Sequence, residues 1–420
     1  MSKIESKTFV PELRFPEFVG QELWVSKKLE DICSLQAGKF VKAASIKNEK
    51  SGNLYPCYGG NGLRGFTKSF THSGNYSLIG RQGALCGNIN FASGTFHATE
   101  HAVVVEPKHG IDNLWLYYEL CRLNLNQFAT GQAQPGLSVD NLYKVDTCVP
   151  VVGKEQQKIG ACLSSMDNLI VENVKKLESL KLHKKGLMQK LFPDEGKSAP
   201  ELGFTCNVKW NKKKFEEVYS LKTTNSLSRD KLNYDDGLVK NIHYGDIHTK
   251  FSTLFDITKE SVPFINAEIA LDKVKEESYC QEGDMVFADA SEDIDDVGKS
   301  IELINLNGEK LLSGLHTILA RQKGSYLVKG FGGYLFKSEV LRKQIQKESQ
   351  GAKVLGISAT RISKIDVVYP IEQSEQQRIV DCLSSLDKLI DAQTKKIEIL
   401  NIYKKGLMQQ LFPEIKEAIA

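Results

Sequence analysis

Two glycine-rich runs gather side chains able to read a polar surface. YPCYGGNGLRGF, Tyr55 to Phe66, reads as a tight loop whose glycines allow close backbone approach to a ligand. Tyr58, Asn61 and Arg64 project from it. IGRQGALCGN adds Arg81 and Gln82 on a second turn. Arg, Asn and Gln have the donor and acceptor geometry of base edges in the DNA major groove. They also decorate ordinary surface loops, so charge has to be weighed with them. Residues 36 to 101 hold seven Lys/Arg against Glu49 and Glu100, a local +5 inside a chain of net charge +3. Lys39, Lys42 and Lys47 form a basic strip whose expected partners are phosphates.

The second half offers a different set. VKNIHYGDIHTK places Tyr244, Asp246 and His248 on a candidate reading loop. Glu282 to Asp296 contains seven acids and no Lys/Arg, whereas Arg321 to Lys353 holds eight Lys/Arg against two acids. This unevenness suggests one face toward phosphate and another turned away. Asp289, Glu292, Asp293, Asp295 and Asp296 lack the spacing of a calcium loop and read as a solvated loop. Further candidates are Gln132 and Gln134 in GQAQPG, and Arg321, Lys353, Ser358 and Arg361 in the second half.

Chemistry of the chain's own is harder to find. GKS occurs at Gly196 and Gly298, but the earlier glycine of a phosphate loop is replaced by Leu191 and Asp293. PDEGK at Pro193 has adjacent acids in a linker, unlike a nuclease site. GFGGY at Gly330 is too short for an adenosylmethionine loop, and no NPPY or DPPY motif occurs. Nine cysteines lie scattered without a CxxC pair, which points to reduced thiols in the cytoplasm and no zinc site.

The elements that position these loops are repeated. EQQKIGACLSSMDNLIVENVKKLESLKLHKKGLMQKLFP, from Glu155, aligns without a gap with EQQRIVDCLSSLDKLIDAQTKKIEILNIYKKGLMQQLFP, from Glu375, at 24 identities in 39 positions. PELRF recurs as PELGF, and WVSKKLEDICSL as WNKKKFEEVYSL. Each half has a related start, a divergent middle and a nearly invariant end, as two readers on one scaffold would.

The repeated ends predict long helices. Ile159, Met166, Asn173, Leu180 and Leu187 alternate with Leu163, Ile170, Leu177, Lys184 and Leu191 at the spacing of a coiled-coil seam. The second copy gives Ile379, Leu386, Gln393, Leu400 and Leu407 with Leu383, Ile390, Ile397, Lys404 and Leu411. Ser374 and Gln377 suggest a capping box, and Pro193 and Pro413 mark the stops. The expected pairing residues are Ile159, Leu163, Met166, Ile170, Leu177, Leu180, Ile379, Leu383, Leu386, Ile390, Ile397 and Leu400. The seams are narrow, so each helix is the other's obvious partner. Antiparallel pairing as a coiled coil is the expected arrangement, setting the two heads at opposite ends about a pseudo-twofold axis, whereas parallel pairing would crowd them at one end. Lys175, Lys176, Lys184 and Lys185 recur as Lys395, Lys396, Lys404 and Lys405, on a solvated face or a docking face.

At 420 residues, 41% hydrophobic and 25% charged, the chain suits two or more folded domains rather than wholesale disorder. It has no apolar run of membrane-spanning length and no signal-peptide core at its start.

The two-copy EQQ…KKGLMQ.LFP helix, YPCYGGNG, GRQGALCGN, GQAQPGLSVDNLYKV and GAKVLGISATRISKI together resemble the specificity subunit of Type I restriction–modification enzymes. The resemblance runs from about Pro11 to Pro413. It implies an α+β chain of two mixed α/β target recognition domains, each reading one half of a split double-stranded DNA target. Two long helices would set the unread spacer. The expected divisions are 1–150 and 194–370 for the domains, 151–193 and 371–413 for the helices, and 414–420 for a tail. The resemblance also implies two methylation subunits that bind S-adenosylmethionine and two restriction subunits that use ATP and Mg, with no cofactor or catalytic residue in this chain. The remaining alternatives are a two-headed scaffold that binds proteins, and a restriction enzyme carrying its own catalytic site.

Overall fold

The computed structural model describes residues 8–83, 85–131, 135–205, 208–351 and 353–414. It divides into two compact units, Met1–Lys175 with Thr394–Ala420, and Lys176–Gln393. The division crosses both long helices, Gly153–Leu191 and Gln373–Leu411, each of 39 residues. Each helix ends two residues short of the proline that follows it, because proline cannot continue the ladder. Ser374 lies inside the second helix rather than at its cap, and Gln377 bonds Asp381 (2.9 Å), so the expected capping box is not formed.

The first unit is built on a six-stranded sheet. Its order is Cys33–Ala37, Ala102–Pro107, His72–Gly80, Ile89–Ala98, Tyr55–Gly59, Gly62–Thr67. All neighbours are antiparallel except Tyr55–Gly59, which runs parallel to Ile89–Ala98. The apolar run Val103-Val104-Val105 is buried on both faces. Val103 and Val105 join a core with Trp24, Trp115 and Leu120, while Val104 turns to Leu78, Phe96 and Ala98. That alternation is the period of two of a strand covered on both sides. Ile159 and Leu163 from the first long helix, and Leu411 and Phe412 from the end of the second, complete the Trp24–Trp115 core.

The second unit repeats this plan. Its five-stranded sheet runs Tyr219–Lys222, Thr317–Gln322, Met285–Ala288, Ser300–Asn305, Leu254–Asp256. Met285 and Phe287 face Phe215, Phe331 and Phe336, while Val286 and Ala288 face Phe255 and Leu303. Lys240–Ile242 runs parallel to Leu311–Ser313, as Tyr55–Gly59 does to Ile89–Ala98. The middles that diverge in sequence therefore keep much of one backbone frame. Ile379 and Leu383 enter this core beside Leu191 and Phe192.

Among the described residues, no helix is long and apolar enough to cross a membrane.

Candidate nucleic-acid interface

In the first unit the two glycine-rich runs meet. Gly59, Gly60, Asn61, Gly62, Arg64, Gln82 and His101 share an open cavity of about 590 Å³. The glycines make the approach possible. A Cβ on Gly80 would collide with the Gly60 carbonyl oxygen, and one on Gly60 would lie 3.0 Å from His101 O. Gly62, at φ +88°, closes the turn between its two strands in a conformation that favours glycine. Arg81 is pinned by its backbone: its N–H donates to His101 O (2.9 Å) and its carbonyl accepts from Leu137 N (2.9 Å). Its side chain is half-buried. Among the described residues, Arg64, Arg81, Lys39, Lys42, Lys47, Lys50 and Lys68 form no ion pair. With Glu49 and Glu100 counted, residues 36–101 carry a local +5, which favours a polyanion.

Tyr58 is placed differently from Asn61, Arg64, Arg81 and Gln82. It is half-buried and packs edge-on against Phe96, with ring centroids 5.6 Å apart. Gln132 and Gln134 lie outside the described residues.

Several candidates of the second unit are committed to its own structure. Asp246, 1% exposed, holds Arg229 (3.0 Å) and Lys250 (3.0 Å). Arg321 makes two hydrogen bonds to Asp284 (2.9 and 2.8 Å). Ser358 caps a short helix, and Arg361 donates to Glu348 O (2.9 Å). His248 donates to Ala290 O (3.0 Å). Lys353 is exposed, and Tyr244 is half-buried beside His316, ring centroids 5.3 Å apart. The basic stretch from Arg321 therefore offers no continuous phosphate face: Lys329 pairs with Glu282, and Arg342 donates to Asp295 O and Val297 O. The charged types were legible in sequence, but the acids that neutralise them are distant along the chain.

His101 and His316, each just before a buried strand (HAVVVE and HTILAR), were missed as site residues. Their shared signal is a histidine opening equivalent strands.

The repeated helix motif has a specific job at each end. Glu155 accepts two bonds from Arg14 (2.8 and 2.7 Å) and one from Trp24 Nε1 (3.2 Å). Its counterpart Glu375 accepts from Phe204 N (2.6 Å) and Thr205 Oγ1 (2.9 Å). Gln156 bridges Asp112 N and Pro150 O, and Gln376 bridges Val328 N and Pro370 O. About three turns further in, Tyr118 donates to Asp167 (2.7 Å), which also pairs with Lys404. In the second unit Tyr334 donates to Asp387 (2.7 Å), which also pairs with Lys184. Burial, then the neighbouring carboxylate, raises both phenols far above their ordinary range, so they remain donors. Lys184 and Lys404, which sit at polar layers of the heptad, are thus anchors rather than solvated charges. Lys175, Lys176, Lys185, Lys395, Lys396 and Lys405 are exposed.

A family described as Type I restriction modification DNA specificity domain matches residues 21–182 and 207–401. Over 144 residues the chain is 45% identical to the Escherichia coli Type I restriction enzyme EcoprrI specificity subunit, covering 34% of this chain and 36% of that one. The chain thus spans only about a third of that relative's length. It is 27% identical to the Methanocaldococcus jannaschii Type I restriction enzyme MjaVIII specificity subunit over 96% of both chains. In fold it resembles the crystal structure of a Type-I restriction-modification S subunit from M. genitalium, with TM-score 0.64 and 15% identity, covering 97% of this chain and 100% of that one.

Proposed function

The chain belongs to the Type I restriction modification DNA specificity family, and from that premise we propose that it reads a bipartite DNA target for a restriction–modification complex. The observation that carries this reading is the cavity of the first unit, where Asn61, Arg64 and Gln82 line a glycine-walled opening, in a stretch, residues 36–101, of local charge +5. Such a surface suits base edges backed by phosphates. Each unit reads one half-site.

The two long helices pair antiparallel as a coiled coil and fix the unread spacer, with the two heads related by a pseudo-twofold axis. Contacts inside each unit support this. Lys404 near the end of one helix meets Asp167 near the start of the other, and Lys184 meets Asp387 in the same manner. Ile159, Leu163, Ile379, Leu383 and Leu386 are buried, and Met166, Ile170, Leu177, Leu180, Ile390, Ile397 and Leu400 are half-buried. The outer face keeps apolar residues in water: Leu182 is 71% exposed, Ile399 65% and Ile402 72%. These are a docking face for two methylation subunits, which bring S-adenosylmethionine; two restriction subunits, with ATP and Mg, complete a cleaving complex. Both complexes act in the cytoplasm.

The test is duplex binding of the full chain with its methylation partners at several salt concentrations, together with sequencing of methylated adenines in cells carrying them. A split motif and a steep loss of affinity with salt are expected. Salt-insensitive binding, or no duplex binding, favours a protein scaffold instead.

A further inference from the structure

The acidic turn of the second unit occupies the place that the Arg81 turn holds in the first. Backbone bonds establish the match independently of side chains. Arg81 N donates to His101 O (2.9 Å), and Asp289 N to His316 O (3.0 Å). Arg81 O accepts from Leu137 N (2.9 Å), and Asp289 O from Ile357 N (2.8 Å). The residue before each closes the turn likewise: Gly80 bonds Asn88 O and Gly87 N, and Ala288 bonds Lys299 O and Gly298 N. The parallel strand pairs agree. Tyr58 opposes Ala98 and Ile242 opposes Ser313, which puts Gly60 with Tyr244 and His101 with His316.

At this shared position the side chains have opposite polarity. Arg81 can only donate, whereas an ionised Asp289 can only accept. Other acids of the turn are tied into it: Asp293 accepts from Asp295 N (2.9 Å), Asp295 from Gln346 (3.1 Å), and Asp296 pairs with Lys299 (3.2 Å). Asp289 instead sits at the open side, 32% exposed, 3.2 Å from Nδ1 of a half-exposed His316. His316 is held at φ 56°, a conformation uncommon for a side-chain-bearing residue, and Tyr244 packs edge-on against it. A carboxylate here repels phosphate. The major-groove groups it can accept from are the exocyclic amines of cytosine and adenine.

We infer that Asp289, flanked by His316 and Tyr244, is the specificity-determining residue of the second unit and accepts a hydrogen bond from an exocyclic amino group of one base. The inference rests on the DNA-reading function proposed above. It implies that the two half-sites differ at the base pair read from this shared position.

The test uses the full chain with its methylation partners, as wild type, D289A and D289N. Both backbone bonds of Asp289 survive these changes, and D289N also keeps the shape. D289A should relax preference at one base pair, in the half-site that Arg81→Ala leaves intact. At that pair, cytosine is replaced by 2-pyrimidinone, or adenine by purine, each lacking the amino group. Wild-type affinity should fall roughly tenfold or more on whichever analogue applies, and D289A affinity should not change further. D289N, which can bond adenine N6 and N7 together, should favour adenine there. Full retention of every base preference in D289A and D289N, or wild-type indifference to both analogues, overturns the inference while leaving DNA reading in place. Absence of any sequence preference in the wild type instead rejects the reading function itself.

Discussion

At the residue scale, affinity and specificity are assigned to different side chains. Arg64 lies on the strand Gly62–Thr67 at the cavity and Arg81 on a glycine-flanked turn, so each can present a fork to one guanine. Replacing either with Ala should cost about 1–3 kcal/mol and relax one base pair. Lys39, Lys42 and Lys47 are exposed, and removing one should weaken all sequences alike and flatten the salt slope by about one. Titrations on cognate and singly substituted duplexes separate the two. If the arginine variants lose stability yet keep every preference, those turns are structural. Glu302 shows a different use of charge. Buried beneath the GFGGY run, it accepts from Gly330 N (2.6 Å) and Gly333 N (2.7 Å). Desolvation nonetheless outweighs those bonds and raises its pKa from 4.5 to about 7. The folded state therefore holds a proton that the unfolded chain has released between those values. Its stabilising contribution is full below about pH 4.5 and is lost as pH rises through about 7, a difference of about 3 kcal/mol at about 1.4 kcal/mol per pH unit. Thermal unfolding of wild type and Glu302→Gln across that window should show the variant with the flatter profile; parallel profiles would reject the assignment.

At the element scale, the long helices were legible because a 3.5-residue period and an ungapped repeat survive in the bare sequence. The anchoring of their ends was not. Tyr118 and Tyr334 lie in unrelated words, WLYYEL and FGGYLF, and only folding brings each to an aspartate of the EQQ helix. Likewise Asp246 and Arg321 carry side chains suited to reading bases, yet Arg229 and Asp284 consume them. The anchor can be tested directly. Asp387→Ala removes the acceptor for both Tyr334 and Lys184 and should cost about 1–2 kcal/mol, reduced by partial solvent screening. Tyr334→Phe should cost about 1 kcal/mol. The double variant should cost less than the sum, because both remove one shared bond. Strict additivity in denaturant unfolding would mean that the tyrosine and aspartate do not act together. A second test addresses helix length. Four residues inserted near Asn173 add about 6 Å and one turn, and should change the spacer or abolish binding while each half-site preference persists. An unaltered spacer at unaltered affinity would show that this helix does not set the distance.

At the scale of the whole molecule, duplication has kept a frame and changed what it presents. Backbone bonds around Arg81 and Asp289 coincide while the side chains invert in charge, so the surface presented can change while the backbone frame of the turn stays the same. The roots tell which residues must travel with a head. Trp24, Trp115 and Tyr118 belong to the first head, and they pack on or bond Phe412, Glu155 and Asp167 of the helices. Replacing residues 11–146 with the corresponding domain of a relative should therefore succeed when the donor carries an indole at the first two positions and a phenol at the third. Such a chimera should direct methylation to a target changed in one half, with the other half and the spacer kept. A donor lacking the phenol leaves Asp167 and Lys404 as a half-buried pair without its third member, and should yield a less stable protein with the same altered motif. Sequencing of methylated adenines reads the motif, and unfolding of the purified chimera reads the stability. A change in both halves from a single exchanged head would mean that the two units do not read independently.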